Sequence, residues 1–117
     1  MLARELYNMK DAYKCESNDY ALRLFKELRR KIGNNYNRFV VHFDSGLPRR
    51  LISERQFAVS EMAVKYIASG NFKEAIRETY DFLHNYGDDD HELTNPEYAV
   101  LNIILCFVEQ MEERAHV

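Results

Sequence analysis

A short pattern that occurs twice limits what this chain can fold into. Residues 25–43 read FKELRRKIGNNYNRFVVHF, and residues 62–80 read MAVKYIASGNFKEAIRETY. Each segment has a run with helical periodicity, then Gly-Asn, then an aromatic residue (Tyr36 or Phe72), and then a second run. Repetition with a period of a few dozen residues is typical of stacked helical pairs. The pattern therefore predicts paired helices, but it does not indicate a ligand.

The composition favours one helical domain that covers residues 1–117. The four Gly and two Pro are too few for the many turns of an all-β chain, and a hydrophobic content of 46% is enough for one core. Cys15 and Cys106 are far apart in the sequence, which predicts two reduced thiols in a cytoplasmic protein. The longest apolar run, about nine residues, is too short to span a bilayer. We predict no cofactor, metal or membrane contact.

Start and stop signals predict where the helices begin and end. Ser17-Asn18-Asp19 is a capping sequence, and the apolar stripe that follows it ends at Gly33. Ser53 precedes a helix that ends at Gly70. Asn71 and Glu74 have the spacing of a capping box, in which two side chains satisfy each other's backbone donors. Asn95, followed by Pro and Glu, is the predicted cap of the last helix.

Residues 36–46 leave two alternatives open. The first is a short helix that is capped by Asn35 and ends at the sequence Gly46-Leu47-Pro48. The second is a strand at 38–43, because FVVHF is rich in β-branched and aromatic residues, and this would make the fold α+β. We favour the helix, since a single strand would have no partner for its edges.

Small and aromatic residues recur at characteristic spacings in the second copy of the pattern: Ala63, Tyr66, Gly70, Phe72 and Ala75. With these residues, the segment 59–87 resembles a single tetratricopeptide repeat (TPR). The resemblance implies a small all-α bundle of antiparallel helical hairpins, TPR-like or α-solenoid-like, that binds proteins. The usual Pro near the end of the repeat is absent, and Gly87 stands in its place.

The last predicted helix, from residue 96 to about 114, is apolar on nearly every side between Tyr98 and Val108. A helix of this kind is enclosed by other helices or covers an interface. It has more apolar surface than one small domain easily covers, so we predict a homodimer or another protein partner. The predicted contact residues are Ile104, Phe107, Val108 and Met111.

The charges are divided unevenly between two parts of the chain. Residues 17–55 carry a net charge of +5, and residues 74–113 carry −10. Basic residues in the first part alternate with Tyr36 and Phe39, a pattern that suits a nucleic-acid backbone and its bases. The predicted nucleic-acid contacts in this alternative are Arg29, Arg30, Arg49 and Arg50. A pI near 5.8 argues against a dedicated nucleic-acid binder.

Candidate catalytic residues are few. Arg77 and His84 lie seven residues apart, and this pair resembles the Arg and His of HEPN ribonucleases, although Glu78 replaces the usual Asn or Asp. The acidic loop at 88–92 lacks the Gly turn and distal Glu of a calcium loop. The sequence therefore predicts a non-catalytic protein-interaction module or a small regulatory or inhibitor protein. The alternative is a nucleic-acid-associated regulator or a HEPN-like ribonuclease.

Overall fold

The computed structural model describes Leu6 and residues 14–37, 54–84 and 91–115, with side chains over 14–37, 58–84 and 91–114 as well as at Leu6. These residues form four α-helices, and a 3-10 turn, Gly33–Asn35, follows the first of them. The helices are α1 (Asn18–Ile32), α2 (Glu54–Ala68), α3 (Phe72–His84) and α4 (Asn95–Ala115). The all-α class is confirmed, since this part of the chain contains no strand. The predicted strand or helix within 36–46 lies, from residue 38 onward, outside the described residues.

The predicted signals account for both ends of α1. The Ser17 hydroxyl accepts a hydrogen bond of 3.1 Å from the backbone N–H of Tyr20, as an N-cap does. Gly33 ends the helix with φ 47°, a conformation that residues with a Cβ rarely adopt. The face between these ends is buried, and its residues are Ala21, Leu24, Phe25, Leu28 and Ile32.

A three-residue turn joins α2 to α3, and these two helices pack against each other. Gly70 has φ 78°, and the N–H of Asn71 donates to the Tyr66 carbonyl at 2.8 Å, as at the left-handed end of many helices. Ala63 and Ala75 are fully buried. Small residues at such positions allow helices to approach closely.

The side chain that caps α3 comes from α1. Asn18 accepts a hydrogen bond from the Lys73 N–H at 3.1 Å and donates to the Gly70 carbonyl at 3.2 Å. The predicted Asn71–Glu74 capping box is wrong, because the Asn71 Oδ1 makes no hydrogen bond and the Glu74 carboxylate binds Arg77. Asn18 instead satisfies the N–H of Lys73, one of the first backbone donors of α3.

The cap of α4 is Thr94, one residue before the predicted Asn95. The Glu97 Oε1 accepts hydrogen bonds from the Thr94 N–H (3.1 Å) and hydroxyl (3.0 Å), and the Thr94 oxygen lies 3.4 Å from the Glu97 N–H. This reciprocal pair is a capping box. The other Glu97 oxygen lies 2.7 Å from Nε2 of His91, so this loop residue contacts a buried carboxylate in the first turn of the helix.

The central part of α4 is enclosed by the rest of the protein. Every residue from 100 to 108 is buried, including the thiol of Cys106. None of the helices among the described residues combines the length and apolarity needed to cross a membrane. The surplus of apolar surface predicted for α4 is therefore taken up by the core of the protein itself.

Candidate protein-binding groove

Two ion pairs join α1 to the second half of α4. The Lys26 Nζ lies 3.3 Å from a Glu112 carboxylate oxygen, and Arg29 pairs with Glu109. The earlier residue on α1 pairs with the later one on α4, so the helices run in opposite directions where they meet. Part of the uneven charge distribution of the sequence is thus neutralised within the protein.

A groove of about 350 Å³ lies at this junction. Its apolar floor is formed by Phe25 of α1 and by Leu105 and Val108 of α4. Lys26 and Arg29 form one wall, and the other wall is acidic: Glu109, Glu112 and Glu113. The two charged walls face each other above an apolar base.

The two walls differ in their exposure to solvent. The Lys26 and Arg29 side chains are 65% and 50% exposed, whereas those of their partners Glu112 and Glu109 are 25% and 17% exposed. Arg30, whose side chain is 76% exposed, lies next to this basic wall. Glu113 of the acidic wall is exposed as well. A molecule that approaches the groove therefore meets Lys26, Arg29 and this one carboxylate before it meets Glu109 and Glu112.

A second depression continues from the basic wall toward Tyr36. It has a volume of about 370 Å³, and its lining includes Arg29, Arg30 and Tyr36. The Arg29 guanidinium lies 4.8 Å from the centroid of the Tyr36 ring, and the Tyr36 hydroxyl lies 3.8 Å from the Cys106 sulfur. Burial, and then the hydrogen bonds to Cys106 and Glu109, raise the pKa of Tyr36 well above its ordinary value. The neutral Tyr36 side chain thus contacts Arg29 of the basic wall on one side and Cys106 of the core on the other.

Most of the residues predicted as a protein contact do not lie on the surface. Ile104 and Phe107 are fully buried, and Val108 is 3% exposed. Met111 is partly buried and packs against the core. Of these four residues, Val108 is the one that lines the groove. These residues of α4 therefore make their contacts within the protein. Their apolar character does not support the predicted homodimer, which stays a prediction.

The basic residues predicted to bind nucleic acid are only partly brought together. Arg29 and Arg30 lie beside Tyr36, as the sequence pattern predicts. The pairing of Arg29 with Glu109 places a carboxylate within this region. Arg49 and Arg50 lie outside the described residues.

Arg77, one of the two candidate catalytic residues, makes structural hydrogen bonds. Its guanidinium donates to the Cys15 carbonyl at 2.6 Å and to the Glu74 carboxylate at 2.7 Å. The bond to Cys15 connects α3 to the segment before α1, and the bond to Glu74 lies within α3. His84 lies partly buried in the last turn of α3. Within the described ranges, no group of three His, Cys, Asp or Glu is placed to hold a metal ion.

The sequence analysis did not predict the acidic wall of the groove, although the spacing of its residues could have indicated it. Lys26 and Arg29 are three residues apart, as are Glu109 and Glu112, and residues with this spacing share one face of a helix. Two such pairs of opposite charge can pair when their helices are antiparallel. The spacing alone does not tell which helices become neighbours.

Comparisons with protein-family models, with curated proteins and with solved structures find no match for this chain. The likeness of residues 59–87 to a tetratricopeptide repeat stays a resemblance of sequence. The geometry of the groove and the charges around it are therefore the features that indicate a function.

Proposed function

We propose that this chain is a non-catalytic protein-binding module, and that the groove between α1 and α4 binds an amphipathic helix with acidic residues on its polar face. The observation that supports the proposal is the combination of an apolar floor with a strongly exposed basic wall. A helix lying in a groove between two helices is a common mode of peptide recognition.

The exposed basic wall determines the charge of the proposed partner. Lys26, Arg29 and Arg30 extend further into solvent than Glu109 and Glu112 do. Carboxylates of an incoming helix can therefore reach these cations from the solvent side. The Arg30–Glu27 pair is exposed on both sides and contributes about 0–1 kcal/mol, so exchange of Glu27 for an external carboxylate costs little.

The floor of the groove supplies the favourable term for binding. Phe25, Leu105 and Val108 are almost completely covered, and charged side chains line the groove together with them. An apolar side chain of the partner that takes the place of these charged chains contributes about 1.5–3 kcal/mol when it is fully buried. The charges then determine the orientation of the partner and increase its rate of association.

The experiment is a selection of helical peptides from a random display library against the wild-type protein. We expect the selected peptides to share a helical apolar spacing and an excess of Asp and Glu. Charge reversal by Arg30→Glu should weaken their binding at least about tenfold, which corresponds to about 1.4 kcal/mol. Lys65→Glu is the matched control, because Lys65 is similarly exposed but lies on α2, where it lines neither the groove nor the neighbouring depression that Arg30 lines.

Two results would contradict the proposal. One is a selection that yields basic or uncharged peptides. The other is a set of acidic peptides whose affinity is equal for Arg30→Glu and Lys65→Glu. Circular dichroism of both variants verifies that the helical fold is retained.

Nucleic-acid binding is the second candidate, because Arg29, Arg30 and the Tyr36 ring lie around one depression. Contacts to phosphate release counterions, so this function requires an affinity that decreases steeply with salt. Neutralising Arg29, Arg30, Arg49 and Arg50 together should then abolish binding of a single-stranded oligonucleotide. Protein binding is favoured because Glu109 and Glu112 lie beside the same cations.

A further inference from the structure

A separate pocket of about 290 Å³ lies between the turn that follows α1 and the first part of α4. Its polar lining comes from the turn and from the first part of α4, and consists of Asn34, Asn35, Asn37, Asn95, Tyr98 and Asn102. Among the described residues that line it, none carries a charge. This volume is at the lower end of the range for small-molecule pockets.

The side-chain amide of one buried residue connects the two walls of this pocket. Asn102, which is 1% exposed, donates to the carbonyls of Asn35 at 2.9 Å and of Tyr98 at 2.7 Å. Its Oδ1 accepts a hydrogen bond from the N–H of Asn37. The two walls, one on the turn and one on α4, are therefore fixed relative to each other before any ligand arrives, which lowers the entropic cost of binding.

The four remaining carboxamides are available to a ligand. Asn34, Asn35, Asn37 and Asn95 are exposed, and their side chains make no hydrogen bond to the described residues. Each carboxamide presents two donors and an acceptor without a charge. The partly exposed Tyr98 ring adds an aromatic surface to the same pocket.

We propose that this pocket binds an uncharged planar ligand of the nucleobase class. An Asn carboxamide can make two hydrogen bonds to the edge of a base that has an adjacent donor and acceptor, as it does with adenine. An aromatic side chain stacks on the face of a base, with about 1–3 kcal/mol per base. The proposal does not depend on the groove between α1 and α4, which takes a different ligand.

The test is to titrate the protein with adenosine and with cytidine and to monitor the side-chain amide signals by NMR. Methyl glucoside is the comparison ligand. We expect a nucleoside at millimolar concentration to shift the Asn34, Asn35, Asn37 and Asn95 amide signals, and methyl glucoside to leave them unchanged. Asn95→Ala and Tyr98→Leu should each weaken nucleoside binding at least about tenfold. Asn71→Ala is the matched control, since α1 separates the two turns by about 22 Å.

A short single-stranded oligonucleotide distinguishes the two sources of a base. An oligonucleotide affinity that exceeds that of the nucleoside, decreases with salt and is weakened by Asn95→Ala assigns the pocket to a base within a strand. An oligonucleotide affinity equal to that of the nucleoside assigns the pocket to a free base. The proposal is overturned if neither nucleoside shifts these amides, if methyl glucoside shifts them equally, or if Asn71→Ala weakens binding as much as Asn95→Ala. Asn95 and Asn71 make no side-chain hydrogen bond in the described structure, so both variants should fold.

Discussion

Asn102 is a polar side chain within the most apolar helix of the protein. Its amide binds two carbonyls and one backbone N–H, and two of these three partners belong to the segment after α1. A buried amide is tolerated where its hydrogen bonds are satisfied. One residue thereby fixes the position of the turn that carries Asn35, Tyr36 and Asn37.

Asn102→Ala should therefore lower the free energy of unfolding substantially. It leaves the Asn37 N–H and the Asn35 carbonyl without this partner, and we expect a loss of about 2–4 kcal/mol. Urea unfolding measures the change, with Asn71→Ala as the control for the same chemical substitution. A loss below about 0.5 kcal/mol for Asn102→Ala would mean that the turn is not held by this amide.

The raised pKa of Glu78 should make the stability of the protein depend on pH. Burial, and then the nearby charges of Asp81 and Glu74, raise the pKa of Glu78 above 4.5. Because the raised pKa belongs to the folded state, the contribution of Glu78 to stability is present below pH 4.5 and is lost as the pH rises through the raised value. The ionised carboxylate therefore destabilises the fold at neutral pH.

Glu78→Gln removes this charge, so it should stabilise the protein at neutral pH by about 0.5 kcal/mol. The same substitution should have no effect at a pH well below 4.5, where Glu78 is protonated in both the folded and the unfolded states. Urea unfolding at the two pH values gives the comparison. Glu61→Gln is the control, because Glu61 pairs with Lys65 and its loss should not stabilise. An equal gain at both pH values would contradict this account.

At the scale of helices, local signals predicted some boundaries and failed at others for a physical reason. Ser17, Gly33 and Gly70 act within their own turns, so the sequence alone identifies them. The cap of α3 was not predictable in this way, because Asn18 reaches it from 55 residues away. The spacing of Thr94 and Glu97 is that of a capping box and could have been recognised in the sequence. The Asn95-Pro96 pair between them led to the prediction of Asn95 as the cap instead.

Asn18→Ala tests the long-range cap. Removing the side chain leaves the Lys73 N–H without its partner, and we expect a loss of about 1 kcal/mol, the usual cost of a lost N-cap. Asn71→Ala, at the position where a local cap was predicted, should change the stability by less than about 0.5 kcal/mol. The two variants are compared by thermal and urea unfolding. The reverse order of effects would restore the local capping box.

The close packing of α2 against α3 supports a further prediction. Ala75 is fully buried, so Ala75→Arg forces a long charged side chain into the core. The expected loss is about 2–4 kcal/mol from overpacking and from burial of an unpaired charge. Ala75→Gly is the milder comparison and should cost about 1 kcal/mol through helix propensity. A loss below about 0.5 kcal/mol for Ala75→Arg would place Ala75 on the surface.

At the scale of the whole molecule, the sequence predicted the helical class and the opposite charges of its two parts, but not the place where those charges meet. The spacing of Lys26 and Arg29 defines one face of α1, whereas the pairing with α4 depends on tertiary structure. The same limit applies to the predicted contact residues of α4. Ile104 and Phe107 are apolar in any context, and only the packing reveals that the protein buries them itself.

The central claim is that the basic wall of the groove between α1 and α4 selects an acidic helix, and a charge exchange tests it most directly. A selected acidic peptide is measured by fluorescence anisotropy against the wild type and Arg30→Glu, together with a version in which the Glu nearest Arg30 becomes Lys. We predict that Arg30→Glu weakens the original peptide at least about tenfold and that the Lys peptide restores most of this loss for the variant alone. If the Lys peptide binds both proteins equally, or if Arg30→Glu leaves the original affinity unchanged, the groove does not recognise its partner through this wall.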